Sequence, residues 1–340
     1  MSFQNPVFIP GPTNIPENLR KACDMPTIDH RSPLFGQILH PARAGVQKVL
    51  KSTSAEVFIF PSTGTGGWET ALTNTLSAGD TVLAARNGMF SQRWIDMCQR
   101  HGLNVNVVET PWGQGVPADR YAEILAADTG HQIKAVLATH NETATGVRSN
   151  IAAVRHALDA AGHPAMLFVD GVSSIGSMEF RFDDWGVDVA VTGSQKGFML
   201  PAGLGIVGFS AKAMEATKSA KLPRTFFDVH DMAKGYANNA YPYTPAVGLL
   251  NGLNTACGML LSEGLDAVFA RHQRIAEGVR AAVGAWGLDL CAASPDLYSD
   301  TVSAIRTPEG FNATDIVTHA AEAYGVAFGV GLGEVAGKVF

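Results

Sequence analysis

The chain has 340 residues, 46% hydrophobic and 16% charged, a balance that belongs to folded globular proteins and excludes disordered or fibrous classes. Its 25 Lys and Arg against 31 Asp and Glu leave a formal net charge of −6 without any dense basic run, which argues against a nucleic-acid partner. Four widely separated cysteines, Cys23, Cys98, Cys257 and Cys291, form neither a C-x-x-C pair nor a disulfide framework and read as reduced structural thiols.

The opening residues Met1-Ser-Phe-Gln-Asn-Pro-Val-Phe-Ile-Pro10 lack the basic and apolar regions of a secretory leader. No apolar run approaches the roughly 20 residues that cross a bilayer. The expected compartment is the cytoplasm, with no membrane partner.

Short runs rich in Val, Ile, Phe and Leu recur at residues 57–60, 81–85, 105–108, 135–139, 165–170, 187–192 and 205–209, which predicts seven buried strands. Helical spacing fills several intervals, at 67–76, 91–101, 120–127 and 151–161, the last after the cap-like Ser149-Asn150 pair. Such alternation predicts an α/β fold whose mostly parallel sheet is covered by helices on both faces. Near Pro242 and Pro245 the pattern changes to long helices at 246–261 and 265–286. A second, smaller domain is expected from there, completed in part by a strand at 302–305, a helix at 313–324 and the glycine-rich residues 325–333. The expected divisions are an N-terminal arm at 1–20, a large domain at 21–245 and a small domain at 246–340. The last residues, Gly337-Lys338-Val339-Phe340, read as a strand that begins without a following turn or cap, so the chain is expected to be cut short.

Two strand ends carry the main chemical signal. Phe168-Val-Asp-Gly-Val-Ser-Ser-Ile-Gly176 and Val189-Ala-Val-Thr-Gly-Ser-Gln-Lys-Gly-Phe198 each run from an apolar strand into small and polar residues, where open α/β sheets place ligands. Asp170 and Lys196 can face one crevice, their separation of 196 − 170 = 26 residues leaving room for one excursion between neighbouring strands. Pyridoxal phosphate needs such a pair: an amine for the Schiff base and a carboxylate against the pyridine nitrogen. Lys196 would then also be the base that moves the substrate proton. Spacing alone favours instead an exposed loop lysine and a strand-end aspartate capping a turn.

A third signal is Phe60-Pro-Ser-Thr-Gly-Thr-Gly-Gly-Trp-Glu-Thr-Ala71, a strand entering a glycine-rich turn that opens a helix. Free amides and hydroxyls at a helix N-terminus hold phosphate, with Thr63, Gly64 and Thr65 as donors. A plain capped helix fits the same residues. The third position of the dinucleotide fingerprint is Glu69 rather than glycine. Residues 331–338 fail the Walker A pattern at Leu332 and Val339. No pair of histidines has zinc spacing, so no metal is expected; His140 reads as a hydrogen-bonded strand-end residue. No G-x-S-x-G elbow is present.

Taken in order, Pro10-Gly-Pro-Thr-Asn-Ile-Pro16, Ser62-Thr-Gly-Thr65, His140-Asn-Glu-Thr-Ala-Thr-Gly146, Val169-Asp-Gly-Val-Ser-Ser174, Thr192-Gly-Ser-Gln-Lys196 and Tyr241-Pro-Tyr-Thr-Pro245 resemble the class V aminotransferases, in the serine–glyoxylate and aspartate–glyoxylate branch. The resemblance runs along essentially the whole chain. It implies a pyridoxal-phosphate enzyme of fold type I: a large domain with a mostly parallel seven-stranded sheet between helices, a smaller α+β C-terminal domain, and a homodimer with the cofactor at the subunit boundary. It further implies that Thr63, Gly64 and Thr65 hold the phosphate with Gln195 close by, that Phe90 lies over the pyridine ring, and that Thr143 bonds the ring hydroxyl. Asp170 would pair with the ring nitrogen and Lys196 would form the Schiff base, while Tyr241 and Thr244 would reach the phosphate of the neighbouring subunit. Plain core packing is the other reading of Phe90. The implied reaction is ping-pong transamination from L-aspartate or L-serine to glyoxylate, forming glycine.

The residues 28–33 and 85–91 look more like the aspartate enzymes. Relatives continue past the segment resembling residues 335–340 into an arginine that binds the substrate carboxylate, so a truncated, impaired form is a further expectation. A lyase or a cysteine desulfurase on the same scaffold is the alternative chemistry.

Overall fold

The computed structural model describes residues 7–340; the first six residues, on which part of the leader reading and of the expected N-terminal arm rests, lie outside the described residues. In chain order the strands are β1 (Val7–Phe8), β2 (Glu56–Ser62), β3 (Thr81–Arg86), β4 (Asn104–Glu109), β5 (Ile133–Thr139), β6 (Asn141–Glu142), β7 (Val147–Arg148), β8 (Met166–Asp170), β9 (Val189–Gly193), β10 (Gly203–Phe209) and β11 (Ala327–Phe328). The helices are α1 (Glu17–Cys23), α2 (Gly36–Val49), α3 (Gly64–Thr75), α4 (Met89–Arg100), α5 (Ala118–Ala127), α6 (Ile151–Ala160), α7 (Ala211–Ala216), α8 (Val229–Ala237), α9 (Val247–Glu263), α10 (Leu265–Ala285) and α11 (Ala313–Tyr324).

All seven apolar runs join one sheet, in the order β2-β10-β9-β8-β5-β3-β4. The pairs β9–β8, β8–β5, β5–β3 and β3–β4 are parallel, and only β10 runs against both its neighbours, β2 and β9. The reason lies in the connections. Helices lie between β3 and β4, between β4 and β5 and between β5 and β8, and the parallel pair β8–β9 is joined by a long irregular excursion over residues 171–188, whereas only a short loop separates β9 from β10, which favours a hairpin-like reversal. Every residue of β8 and β9 is buried, which explains why they read as continuous apolar runs rather than alternating ones.

Helix α2 buries Leu39, Ala42, Val46 and Val49, and α9 buries Leu250, Leu253, Ala256, Cys257 and Leu260, each set along one helical face. The two helices pack together, α1 lies on α9, and α2 covers β2. One apolar cluster runs from Leu19 through the sheet to Leu260 and Val268. The change of pattern near Pro242 and Pro245 is therefore a change from alternating elements to long helices, not a break in the core. A separate small cluster gathers Cys291, Ala304, Val335 and Val339, with Trp112 packed against it.

Residues 302–305 form no strand, contrary to the expectation. Val302 N–H goes to the Ser299 hydroxyl at 3.2 Å, the Ala304 carbonyl accepts Cys291 N–H at 2.8 Å and Ile305 meets Phe340, so no single chain pairs along the segment and isolated bridges result, among them Leu290 with Ile305 and Arg306 with Val339. Phe340 does exchange both backbone hydrogen bonds with Ile305, at 3.0 and 3.1 Å. At the other end β1 pairs in parallel with β11, so the start of the described chain is tied to the C-terminal region. Among the described residues no helix is long and apolar enough to cross a membrane.

Candidate active site

The C-terminal ends of β5, β8 and β9 meet side by side, with Thr139 opposite Asp170 and Asp170 opposite Val191. The backbone ladder continues one step past each strand: His140 N–H donates to the Asp170 carbonyl at 2.9 Å and Gly171 N–H to Val191 at 2.9 Å. This register holds the Asp170 side chain in a closed environment, where its carboxyl accepts the Val172 N–H at 2.9 Å. Burial pushes its pKa up to about 7; the Val172 amide opposes this, the nearby Glu142 reinforces it, and Trp68 and Lys196 favour the charged form more weakly. A buried carboxyl of this kind is stabilised by a cationic N–H brought to it.

Lys196 is delivered by the loop that follows β9. The Ser194 hydroxyl donates to the Pro201 carbonyl at 2.7 Å and accepts the Leu204 N–H at 3.1 Å, pinching residues 194–204 into a compact turn. The next residue must be glycine: a Cβ on Gly197 would stand 2.1 Å from the Ile175 carbonyl oxygen, so any side chain would lift the lysine loop off the loop after Asp170. The Lys196 ammonium donates to the Pro10 carbonyl at 2.8 Å. Burial lowers its pKa and the charge of Asp170 acts against that. A lysine so placed gives up its proton more readily than a solvated one and is more available as the free amine that acts as nucleophile or base.

Helix α3 aims its N-terminus at the same crevice. Thr63 takes an extended conformation as N-cap without bonding the helix through its side chain, and the first turn closes with Gly67 N–H on the Thr63 carbonyl at 3.1 Å. The preceding amides have no partner within the helix, and Thr63 and Thr65 are exposed. Gly205 on β10 allows this approach, since a Cβ there would lie 2.5 Å from the Thr63 carbonyl oxygen. Gly64 abuts Val172 and Gly193, which brings the α3 turn, the Asp170 loop and the Lys196 loop together. Gln195 sits half-buried beside them with its Oε1 lacking any partner.

Phe90 opens α4 half-buried, with the Arg93 guanidinium 5.2 Å from its ring centre. What ties it to the site is Glu142, a residue that sequence reasoning did not single out. The fully buried Glu142 carboxylate accepts Phe90 N–H at 3.2 Å, Ser91 N–H at 3.0 Å and Ala144 N–H at 3.2 Å, capping α4 from the loop that carries Thr143. Burial drives its pKa up and these amides pull it back. The only linear signal was an acid just past a strand end; its partner Phe90 lies 142 − 90 = 52 residues earlier. Glu142→Ala is expected to cost about 1–3 kcal/mol, from orphaned amides and the lost cap. Urea unfolding of the cofactor-free protein measures this, and an unchanged midpoint would contradict the capping role.

His140 is the strand-end residue expected of it, buried with Nδ1 2.9 Å from the Ser174 hydroxyl and its pKa lowered to about 3 by burial. Thr143 Oγ1 donates to Ser173 Oγ at 2.9 Å. Tyr241 stands apart: its hydroxyl donates to the Ile59 carbonyl of its own chain at 2.7 Å and its ring packs edge-on to Phe35 and Tyr236. Thr244 is exposed. The site thus offers a half-buried amine for a carbonyl, a buried carboxyl for a cationic nitrogen, and free amides for an anion.

Comparison with known proteins agrees with this geometry. The Aminotransferase class-V family model matches residues 21–334. The L-aspartate–glyoxylate aminotransferase of Paracoccus denitrificans is 76% identical over all of this chain and 86% of its own length. The serine–glyoxylate aminotransferase of Hyphomicrobium methylovorum is 56% identical over 98% of this chain and 83% of its own length. Among solved structures, pyridoxamine–pyruvate aminotransferase from Mesorhizobium loti superimposes with a TM-score of 0.93 at 29% identity, covering 100% of this chain and 86% of the other. Alanine–glyoxylate aminotransferase from Nostoc sp. does so with a TM-score of 0.92 at 26% identity, covering 100% and 90%. With the family model matched over residues 21–334, which span the whole sheet and its strand ends, the chain belongs to the class-V aminotransferase family.

Proposed function

We propose that this protein is a pyridoxal-phosphate-dependent transaminase that passes an amino group from L-aspartate or L-serine to glyoxylate, forming glycine. The observation that carries the reading is the convergence of Lys196, Asp170 and the N-terminus of α3 on one crevice at the strand ends. Relatives named as aspartate–glyoxylate and serine–glyoxylate aminotransferases, at 76% and 56% identity, support the choice of acceptor and of donors.

The residues suit the cofactor. The open first turn of α3, with its free amides, matches a phosphate, and the buried Asp170 matches a protonated ring nitrogen. When bound, pyridoxal phosphate supplies an electron sink conjugated to the substrate nitrogen. Thr63, Gly64 and Thr65 hold the phosphate through amides and hydroxyls, and Asp170 keeps the ring nitrogen charged. Phe90, held through its amide by Glu142, would pack against the ring. Lys196 is the covalent anchor and, once free, the base that takes the proton from the Cα of the amino donor. The four cysteines are free, three of them buried and Cys23 half-buried, which disfavours a desulfurase with its accessible reactive thiol.

A homodimer completes this reading. Phe226 and Tyr243 stack at 5.3 Å on the surface next to the exposed Thr244, an apolar patch suited to a second copy. Thr244 is then the group that reaches across, while Tyr241 buttresses β2 from within.

The donor is tested by incubating the purified protein with glyoxylate and, separately, aspartate, serine or alanine, and measuring glycine together with the 2-oxo acid formed. Glycine is expected with aspartate and serine, with the higher kcat/KM for aspartate. No glycine with any of them would end this assignment.

A further inference from the structure

Thr143 is joined to a set of side chains in which the hydrogen bonds that meet at Ser173 Oγ each have one direction. Ser173 Oγ lies 3.0 Å from the Asn141 carbonyl, which can only accept, so the single Ser173 proton goes there. The same oxygen accepts from Asn141 Nδ2 at 2.9 Å and from Thr143 Oγ1 at 2.9 Å. The Asn141 amide is oriented by its second contact, Nδ2 to the Ser173 carbonyl at 3.3 Å, which a flipped Oδ1 could not make. Thr301, from the C-terminal region, donates its own proton to that Ser173 carbonyl at 3.0 Å and accepts from Asn141 Nδ2 at 3.1 Å. Thr301 Oγ1 also lies 3.2 Å from Ser299 Oγ and 3.7 Å from Met178 Sδ, but the protons of Ser173 and Thr143 are both committed within the set.

Thr143 also lines a cavity of about 130 Å³ together with Thr301, Val302 and Ser303. We propose that Ser173 is a positioning residue that sets the polarity of Thr143: it takes the only proton of that hydroxyl and leaves it a hydrogen-bond acceptor toward the cavity. The ligand group that meets Thr143 must then bring an N–H or O–H. Two groups at this site share that chemistry, the neutral ring hydroxyl of the cofactor and the ammonium of the amino donor. This deepens the proposed function and rests on it for the identity of the ligands.

The test uses the full chain loaded with pyridoxal phosphate, as wild type, Ser173→Ala, Thr143→Val and Thr143→Ser. Cofactor retention is measured first; if wild type holds none, the proposed function fails, separately from this inference. Ultraviolet and visible spectra without substrate then report the ring hydroxyl. An acceptor at Thr143 stabilises its neutral form. Ser173→Ala frees the threonine to donate, and Thr143→Val removes the acceptor, so both move the spectrum toward the ionised-hydroxyl band. The expected change in the ratio of the two forms is about threefold to tenfold, the worth of one hydrogen bond. Thr143→Ser keeps the wild-type spectrum.

If the ammonium is the group instead, the spectra stay as in wild type while KM for the amino donor rises by a similar factor at unchanged kcat. Either result supports the proposal. A shift of Thr143→Val toward the neutral-hydroxyl band shows that Thr143 donates, and overturns it. So do unchanged spectra and unchanged KM in both variants. Because Thr143→Val is isosteric and faces a cavity, it decides the matter even if Ser173→Ala folds poorly.

Discussion

Lys196→Ala is expected to lower transamination by about 10³-fold or more while leaving the protein folded. Loss of a positioned general base alone costs about 10²–10⁴-fold, and here the same substitution removes the covalent anchor. The fold should tolerate it, because the Lys196 contacts are a half-buried amine and one backbone carbonyl, that of Pro10. Truncation would uncover that carbonyl at a cost of about 1 kcal/mol. Three measurements separate the roles. Borohydride reduction of the loaded wild type should leave the cofactor on the peptide containing Lys196, and on no peptide of the variant. Methylamine should restore part of the rate by standing in for the missing base. A variant that still forms a reducible adduct elsewhere, or turns over normally, would show that another amine is the anchor.

The second large effect is expected at Asp170. Asp170→Asn preserves shape but cannot carry the charge that holds a ring nitrogen protonated, and should lower kcat by about 10²–10³-fold. It has a pH signature of its own in the cofactor-free protein. The folded pKa is raised from 3.8 to about 7 by burial, so the folded state binds a proton that the unfolded state has lost. Stability from this group is therefore fully present below about pH 3.8 and is lost as pH rises through 7. The loss is on the order of 4 kcal/mol at most. Wild type should become less stable across that window, and Asp170→Asn should be flatter; Glu142, also pushed upward by burial, is present in both proteins and largely cancels. Loading the cofactor should reverse the wild-type slope by giving the carboxylate a cation. Thermal unfolding from pH 4 to 8 measures this, and parallel curves would mean that Asp170 is already satisfied in the unloaded chain.

The sheet was readable because its signal is short in range. A buried strand must be apolar over its own length, and residues 165–170 and 187–192 carry that requirement in consecutive positions, as do the helical faces of α4 and α6. Residues 302–305 misled for the same reason: they are apolar enough for a strand, but a ladder needs one partner along its length, and this segment meets Ser299, Cys291 and Phe340 in turn. The long helices after Pro245 were legible as helices but not as part of the large core, because which face of α9 meets α2 is a matter of packing between segments some 200 residues apart.

The candidate site divides along the same line. The sequence by itself determined that an acid ends one apolar run, that a lysine follows another and that a glycine-rich turn opens a helix, since each depends on residues adjacent in the chain. Only the tertiary structure decided that Gly197 seats the lysine loop on the Asp170 loop, that Glu142 caps a helix from a distant turn, that Tyr241 spends its hydroxyl on Ile59, and that Ser173 takes the proton of Thr143. Hydrogen-bond direction, burial and the pKa shifts that follow from them belong to neighbours in space, and no run of residues read along the chain contains them.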